Sequence, residues 1–139
     1  MTRIALVQLA SPYEESQADR VARVESMLLA RAGEGIELFV LPELWSAGYL
    51  AFKHYEELSE AIDGLTVSMG QRVARALGAW VHIGSFIERD AEGALHNTTV
   101  LLNPAGEIAQ TYRKIHVFGY ESLESQLLTP GTSLSVVPT

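Results

Sequence analysis

The chain has 139 residues, 47% hydrophobic and 19% charged, the balance of a single globular domain. No apolar run approaches the ~18 residues that a membrane span requires. The formal charge is −7, and the ten Lys and Arg are scattered, which argues against nucleic acid and against an anionic membrane surface. With no cysteine, disulfides and thiolate metal sites are excluded. The apolar window at the start, Ile4 to Val7, is too short and too soon polar for a signal peptide, so a cytoplasmic location is expected.

Ile4 to Leu9 reads as a short strand that passes into the Ser11-Pro12 loop. Residues 14–32 follow a helical period. Val21, Val24 and Leu28 mark the buried face, while Asp19, Arg20, Arg23 and Arg31 are assigned to the solvent face. Gly33 and Gly35 stop the helix. The apolar run Leu38–Leu41 reads as a buried strand, ended by Pro42, which has no N–H for a ladder. Strand, helix, strand predicts a β-α-β unit with a right-handed crossover if the strands are parallel. A second helix is expected over 66–77 with Gly78 as its cap. Trp80–Ile87, Ala94–Leu102 and Ile108–Tyr112 then read as three strands joined by short turns, an antiparallel meander. Residues 121–139 read as a polar loop with a last strand-like run at Leu134–Val137.

Two places carry chemistry. Glu43 directly follows the buried strand, beside Leu44 and Trp45, where ligands bind in sheet proteins. Burial there would raise its pKa and suit a general base; the alternative is a strand-end acid turned to water. Arg113-Lys114 sits at the end of the third meander strand among apolar and aromatic residues, and Lys114 is the natural partner for Glu43. Without Glu43 it would read as a surface basic pair. Trp45 and Tyr49 are placed to line a substrate pocket. Glu43, His54, His82, His96 and His116 could supply metal ligands, but no two His stand at i, i+4 on a helix and no acid completes a ligand motif, which opposes metal catalysis. His82, between Val81 and Ile83, reads as an outward strand residue.

Four stretches together resemble the nitrilase superfamily of carbon–nitrogen hydrolases. They are Arg3–Leu9; Leu41-Pro42-Glu43-Leu44 with Gly48-Tyr49; His96–Thr99 through Asn103–Gly106 to Tyr112–His116; and Glu124–Leu128 with Thr129-Pro130-Gly131. The resemblance implies an α/β fold, half of an α-β-β-α sandwich with a mixed sheet and helices on one face. It makes Glu43 the general base, Lys114 the cation that meets an oxyanion, and Glu124 the additional glutamate, with Glu121 as its competitor. Trp45, Tyr49 and His116 are expected to shape the substrate site, and no cofactor or metal is implied. The family's nucleophile is a cysteine lying beyond Pro130-Gly131. Residues 1–139 are therefore expected to be the N-terminal part of one hydrolase domain for a small amide, nitrile or N-carbamoyl compound, inactive alone. A homo-oligomer is expected. The alternative is a non-catalytic half-domain that assembles with itself or with a complementary chain.

Overall fold

The computed structural model describes residues 2–12, 14–49, 51–119 and 122–139. Its sheet begins with β1 (Ile4–Leu6) and β2 (Leu38–Val40), which are parallel and joined by helix α1 (Gln17–Leu29). Helix α3 (Leu65–Leu77) returns the chain to β3 (Trp80–His82), parallel to β2. Between β2 and α3 the chain forms a single 3₁₀ turn at Phe52–His54 and a one-turn helix α2 (Tyr55–Leu58). The meander follows: β4 (Phe86–Arg89), β5 (Leu95–Leu102) and β6 (Ile108–Arg113) are antiparallel neighbours, and β3 also pairs with β5. No helix among the described residues is long and apolar enough to cross a membrane.

Both long helices have sequence-coded ends. Ser16 caps α1 by accepting the Asp19 N–H at 3.1 Å, and Gly78 closes α3 in the left-handed conformation at φ 61°. The first helix is shorter than its period suggests, because Glu14 and Glu15 lie ahead of the cap and Arg31 beyond Ala30. Val21, Val24 and Leu28 pack with Val67, Met69 and Val73 of α3 against Phe39, Val81 and Val100 of the sheet. This is the main core. Leu44, Tyr55, Ile87, Leu95 and Leu128 form a smaller, separate cluster.

Three expectations are corrected. Arg20, assigned to the solvent face, is only 5% exposed. Its guanidinium donates to the Glu15 carboxylate (3.1 Å) and to the carbonyls of Pro12, Glu15, Trp45 and Ser46, so its charge is paired and its donors are used. The single strand 80–87 is broken: between the pairs His82–Leu101 and Phe86–Thr98, residues 83–85 face only Thr99 and Val100. That extra residue is a β-bulge, and Gly84 adopts φ +71° within it. Lastly, Leu134–Val137 joins no strand, while the loop before it holds the short helix α4 (Leu123–Leu127), capped by Ser122.

Among the described residues, no long helix covers the opposite face of the sheet. In register it presents Ile4 and Leu6, Leu38 and Val40, Trp80 and His82, then Leu101. Leu6 is 77% exposed there.

The bulge also brings two backbones together. A Cβ on Gly84 would collide with the Pro42 carbonyl, so both space and φ require glycine. Gly84→Ala should lose more than about 3 kcal/mol of stability. Gly78→Ala, with positive φ but nothing within 4 Å of the added carbon, should lose only about 1 kcal/mol. Urea denaturation of the two variants measures the difference.

Candidate active site

Glu43 stands at the C-terminal end of β2, where Pro42 has ended the ladder. The turn that follows is tight: Leu44 has φ 50°, a conformation costing about 1–2 kcal/mol for a residue with a Cβ. Leu44 is also the one non-glycine residue with positive φ among those described. Its side chain is anchored in the smaller cluster. The Glu43 side chain is 43% exposed, not enclosed by Leu44 and Trp45 as the sequence suggested. Its Oε1 accepts from the Asn97 carboxamide at 2.8 Å and from Lys114 Nζ at 3.0 Å.

Lys114 follows the last residue of β6. Its N–H donates to the Asn97 carbonyl (2.8 Å), and its own carbonyl accepts from Gly131 (2.9 Å). Gly131 has no room for a Cβ, because the Arg113 carbonyl occupies that space. From this fixed backbone the ammonium reaches both Glu43 and Glu124 Oε1 (3.1 Å). Glu124, on α4, is 3% exposed, so its carboxylate is buried with that ammonium as partner. Burial alone would pull the Lys114 pKa down. Hydrogen bonds that Lys114 donates to Glu43 and Glu124 outweigh it and raise the pKa above that of an ordinary lysine, so the cation persists through the neutral range. Nearby Tyr55 is pushed up, first by burial and then by the Glu124 and Glu43 charges.

An open cleft of about 310 Å³ runs from Glu43 and Lys114 along the uncovered sheet face, walled by Leu41, His82, Ser85, Thr99 and Tyr112. His82 Nδ1 accepts from the Gly84 N–H at 3.3 Å, which leaves Nε2 to carry the hydrogen toward Thr99 Oγ1 at 3.2 Å. Burial lowers its pKa.

Glu43, Lys114 and Glu124 are thus brought together, as the sequence suggested. Glu121 lies outside the described residues. The three expected pocket residues lie elsewhere. Trp45 is 2% exposed, sits in the main core and donates its indole N–H to the Ile83 carbonyl at 2.8 Å. Tyr49 borders a separate cavity of about 620 Å³ beside the start of α1, and His116 is exposed away from the cleft. Sequence reasoning missed Asn97 and Ser85. Asn97 shares the parity of Thr99 and Leu101 on β5, so a polar residue facing Lys114 was legible from strand alternation. Ser85 gave no signal, because the bulge resets the parity.

The model of the carbon–nitrogen hydrolase family matches residues 3–139. The chain belongs to that family. The 2-oxoglutaramate amidase of Paenarthrobacter nicotinovorans is 33% identical over 137 residues, 96% of this chain and 46% of the relative. Omega-amidase NIT2 of Homo sapiens is 34% identical over 143 residues, 99% of this chain and 50% of the relative. Among solved structures, Saccharomyces cerevisiae Nit3 of the nitrilase superfamily superposes with a TM-score of 0.83 at 22% identity, covering 98% of this chain and 51% of Nit3. The carbon–nitrogen hydrolase fold is therefore shared along the whole chain, and the mixed sheet with both long helices on one face is the expected part of it. The chain spans about half the length of these relatives.

Two measurements test the electrostatics. Glu124→Gln removes one of the two carboxylates on Nζ, so the Lys114 pKa should fall, as read by ¹⁵N-detected titration of the ammonium. For His82 the folded-state pKa lies below the unfolded value of about 6.5, so the unfolded chain takes up the proton first. The stability this provides is complete above that value and declines as pH falls below it. His82→Gln should flatten the difference in urea midpoint between about pH 7.5 and pH 5.

Proposed function

We propose that this chain supplies the base and oxyanion half of an amidase active site, and that residues 1–139 form the N-terminal part of a single hydrolase domain. The observation that carries the reading is one ammonium, Lys114 Nζ, held within 3.1 Å of both Glu43 and Glu124 at the head of an open cleft. In this reading the nucleophile is the family's cysteine thiol, which residues 1–139 do not contain.

Glu43 takes the thiol proton as sulfur adds to the amide carbonyl carbon. The carbonyl electron pair moves onto oxygen, and the Lys114 ammonium offsets that charge. Collapse breaks the C–N bond while Glu43 returns the proton to the departing nitrogen. Water, deprotonated by Glu43, then cleaves the thioester to give the carboxylic acid and the free thiol. Glu124 keeps the ammonium charged and aimed. Asn97 fixes the Glu43 oxygen that Lys114 also touches. An amide is favoured over a nitrile or N-carbamoyl compound, and an ω-amide of a short dicarboxylic acid best matches relatives called omega-amidase and 2-oxoglutaramate amidase. The exposed sheet face, with Leu6 and Ile4 at its edge, supports a second reading in which the chain is an assembly module for itself or for a complementary chain.

Ammonia release from a panel of ω-amides, simple amides and nitriles separates the readings. The product of the complete reading frame should hydrolyse ω-amides, and residues 1–139 alone should release nothing. Within the complete protein, Glu43→Gln should lower turnover about 10²–10⁴-fold, and Lys114→Ala about 10²–10³-fold or more. A complete product that carries no cysteine and shows no turnover would favour the assembly role.

A further inference from the structure

A general base works only if its carboxylate is held in one direction, and the Glu43 side chain is long and partly exposed. Its aim therefore depends on the backbone that carries it. The peptide groups on either side of Glu43 both end on one residue. The Pro42 carbonyl accepts from the Ser85 N–H at 3.2 Å, and the Leu44 N–H donates to Ser85 Oγ at 3.0 Å. Ser85 is 6% exposed, so water does not compete strongly for either contact.

Ser85 can make both contacts because of the bulge. The extra residue in 83–85 turns the strand toward Pro42, and the glycine at 84 lets the two backbones meet without a Cβ between them. The Gly84 N–H is in turn held by His82 Nδ1 at 3.3 Å. On the other side, Leu44 occupies the left-handed region that a leucine leaves unless something holds it there. The N–H that Ser85 holds belongs to that strained residue.

We propose that Ser85 is the positioning residue for the general base, acting through the Pro42–Leu44 backbone. The proposal rests on Glu43 being the base. Ser85→Ala keeps the backbone contact to Pro42 and removes only the acceptor for Leu44. That peptide then turns toward its relaxed conformation, and the carboxylate leaves the point shared by Asn97 and Lys114.

The test uses the complete protein with the ω-amide it turns over best. Ser85→Ala should lower kcat about tenfold to a hundredfold with KM unchanged, and Ser85→Thr, which keeps the hydroxyl, should recover most of it. In ¹³C spectra of the complete protein, Ser85→Ala should shift the Glu43 carboxylate resonance, and Ser85→Thr should restore it. Unchanged kcat in Ser85→Ala, beside loss of activity in Glu43→Gln, overturns the inference and leaves the function standing. Full activity in Glu43→Gln would overturn the assignment of the base and, with it, this inference. Should Ser85→Ala fail to fold, hydrogen exchange of the wild-type Leu44 amide decides. Protection is expected, and exchange at the rate of an unstructured peptide would end the proposal.

Discussion

Three stretches far apart in the chain meet at one nitrogen. Lys114 Nζ bonds an acid 71 residues earlier in the sequence and another 10 residues later. A buried carboxylate such as Glu124 is strongly disfavoured without a cation, and a half-buried ammonium is disfavoured without an anion. Each makes the other's burial tolerable. The second carboxylate, Glu43, makes the trio net negative, which raises the Lys114 pKa and leaves Glu43 as the exposed member facing the cleft. Asn97 supplies an uncharged donor to the oxygen that already accepts from Lys114, fixing that carboxylate without neutralising it.

The backbone around the trio is held at every approach. Lys114 is tied between Asn97 and Gly131, and the Gly131 segment is tied again where Thr129 donates to Leu95 and its carbonyl meets His96 Nδ1 at 2.8 Å. His96 Nε2 in turn meets Asp90 at 3.0 Å. On the far face of the same strands, Arg113 makes a two-pronged contact with Glu88, and Thr98 donates to that carboxylate as well. Here the hydrogen bonds of Arg113 and Thr98 outweigh the burial that would raise the Glu88 pKa, and its pKa is lowered. The last residue of β6 and the one after it thus point to opposite faces with different tasks: Arg113 clamps the sheet, and Lys114 enters the cleft.

The uncovered sheet face gives the same picture at a larger scale. A strand order with three parallel and then antiparallel members has one face sealed by α1 and α3. The other face carries apolar side chains in register together with the cleft. Relatives of about twice the length match this chain along nearly all of it. Chemistry and hydrophobic burial therefore point to the same side of the sheet.

The sequence by itself determined what local physics controls. Gly78 and Pro42 end their elements through left-handed φ and a missing donor, which depend on neighbours in the chain alone. Motif order likewise named Glu43, Lys114 and Glu124, though their mutual contact required the fold. Tertiary structure alone decided where Trp45 and Arg20 go: an indole flanking a candidate base was turned into the core, and a cation on an apparent solvent face was buried under the carbonyls of a distant loop. It also decided the bulge at 83–85, which changes which residues face the cleft and so brings Ser85 to Glu43. Side-chain periodicity reports a face only while the register is regular, and one inserted residue, set by contact with another strand, removes that information from the sequence.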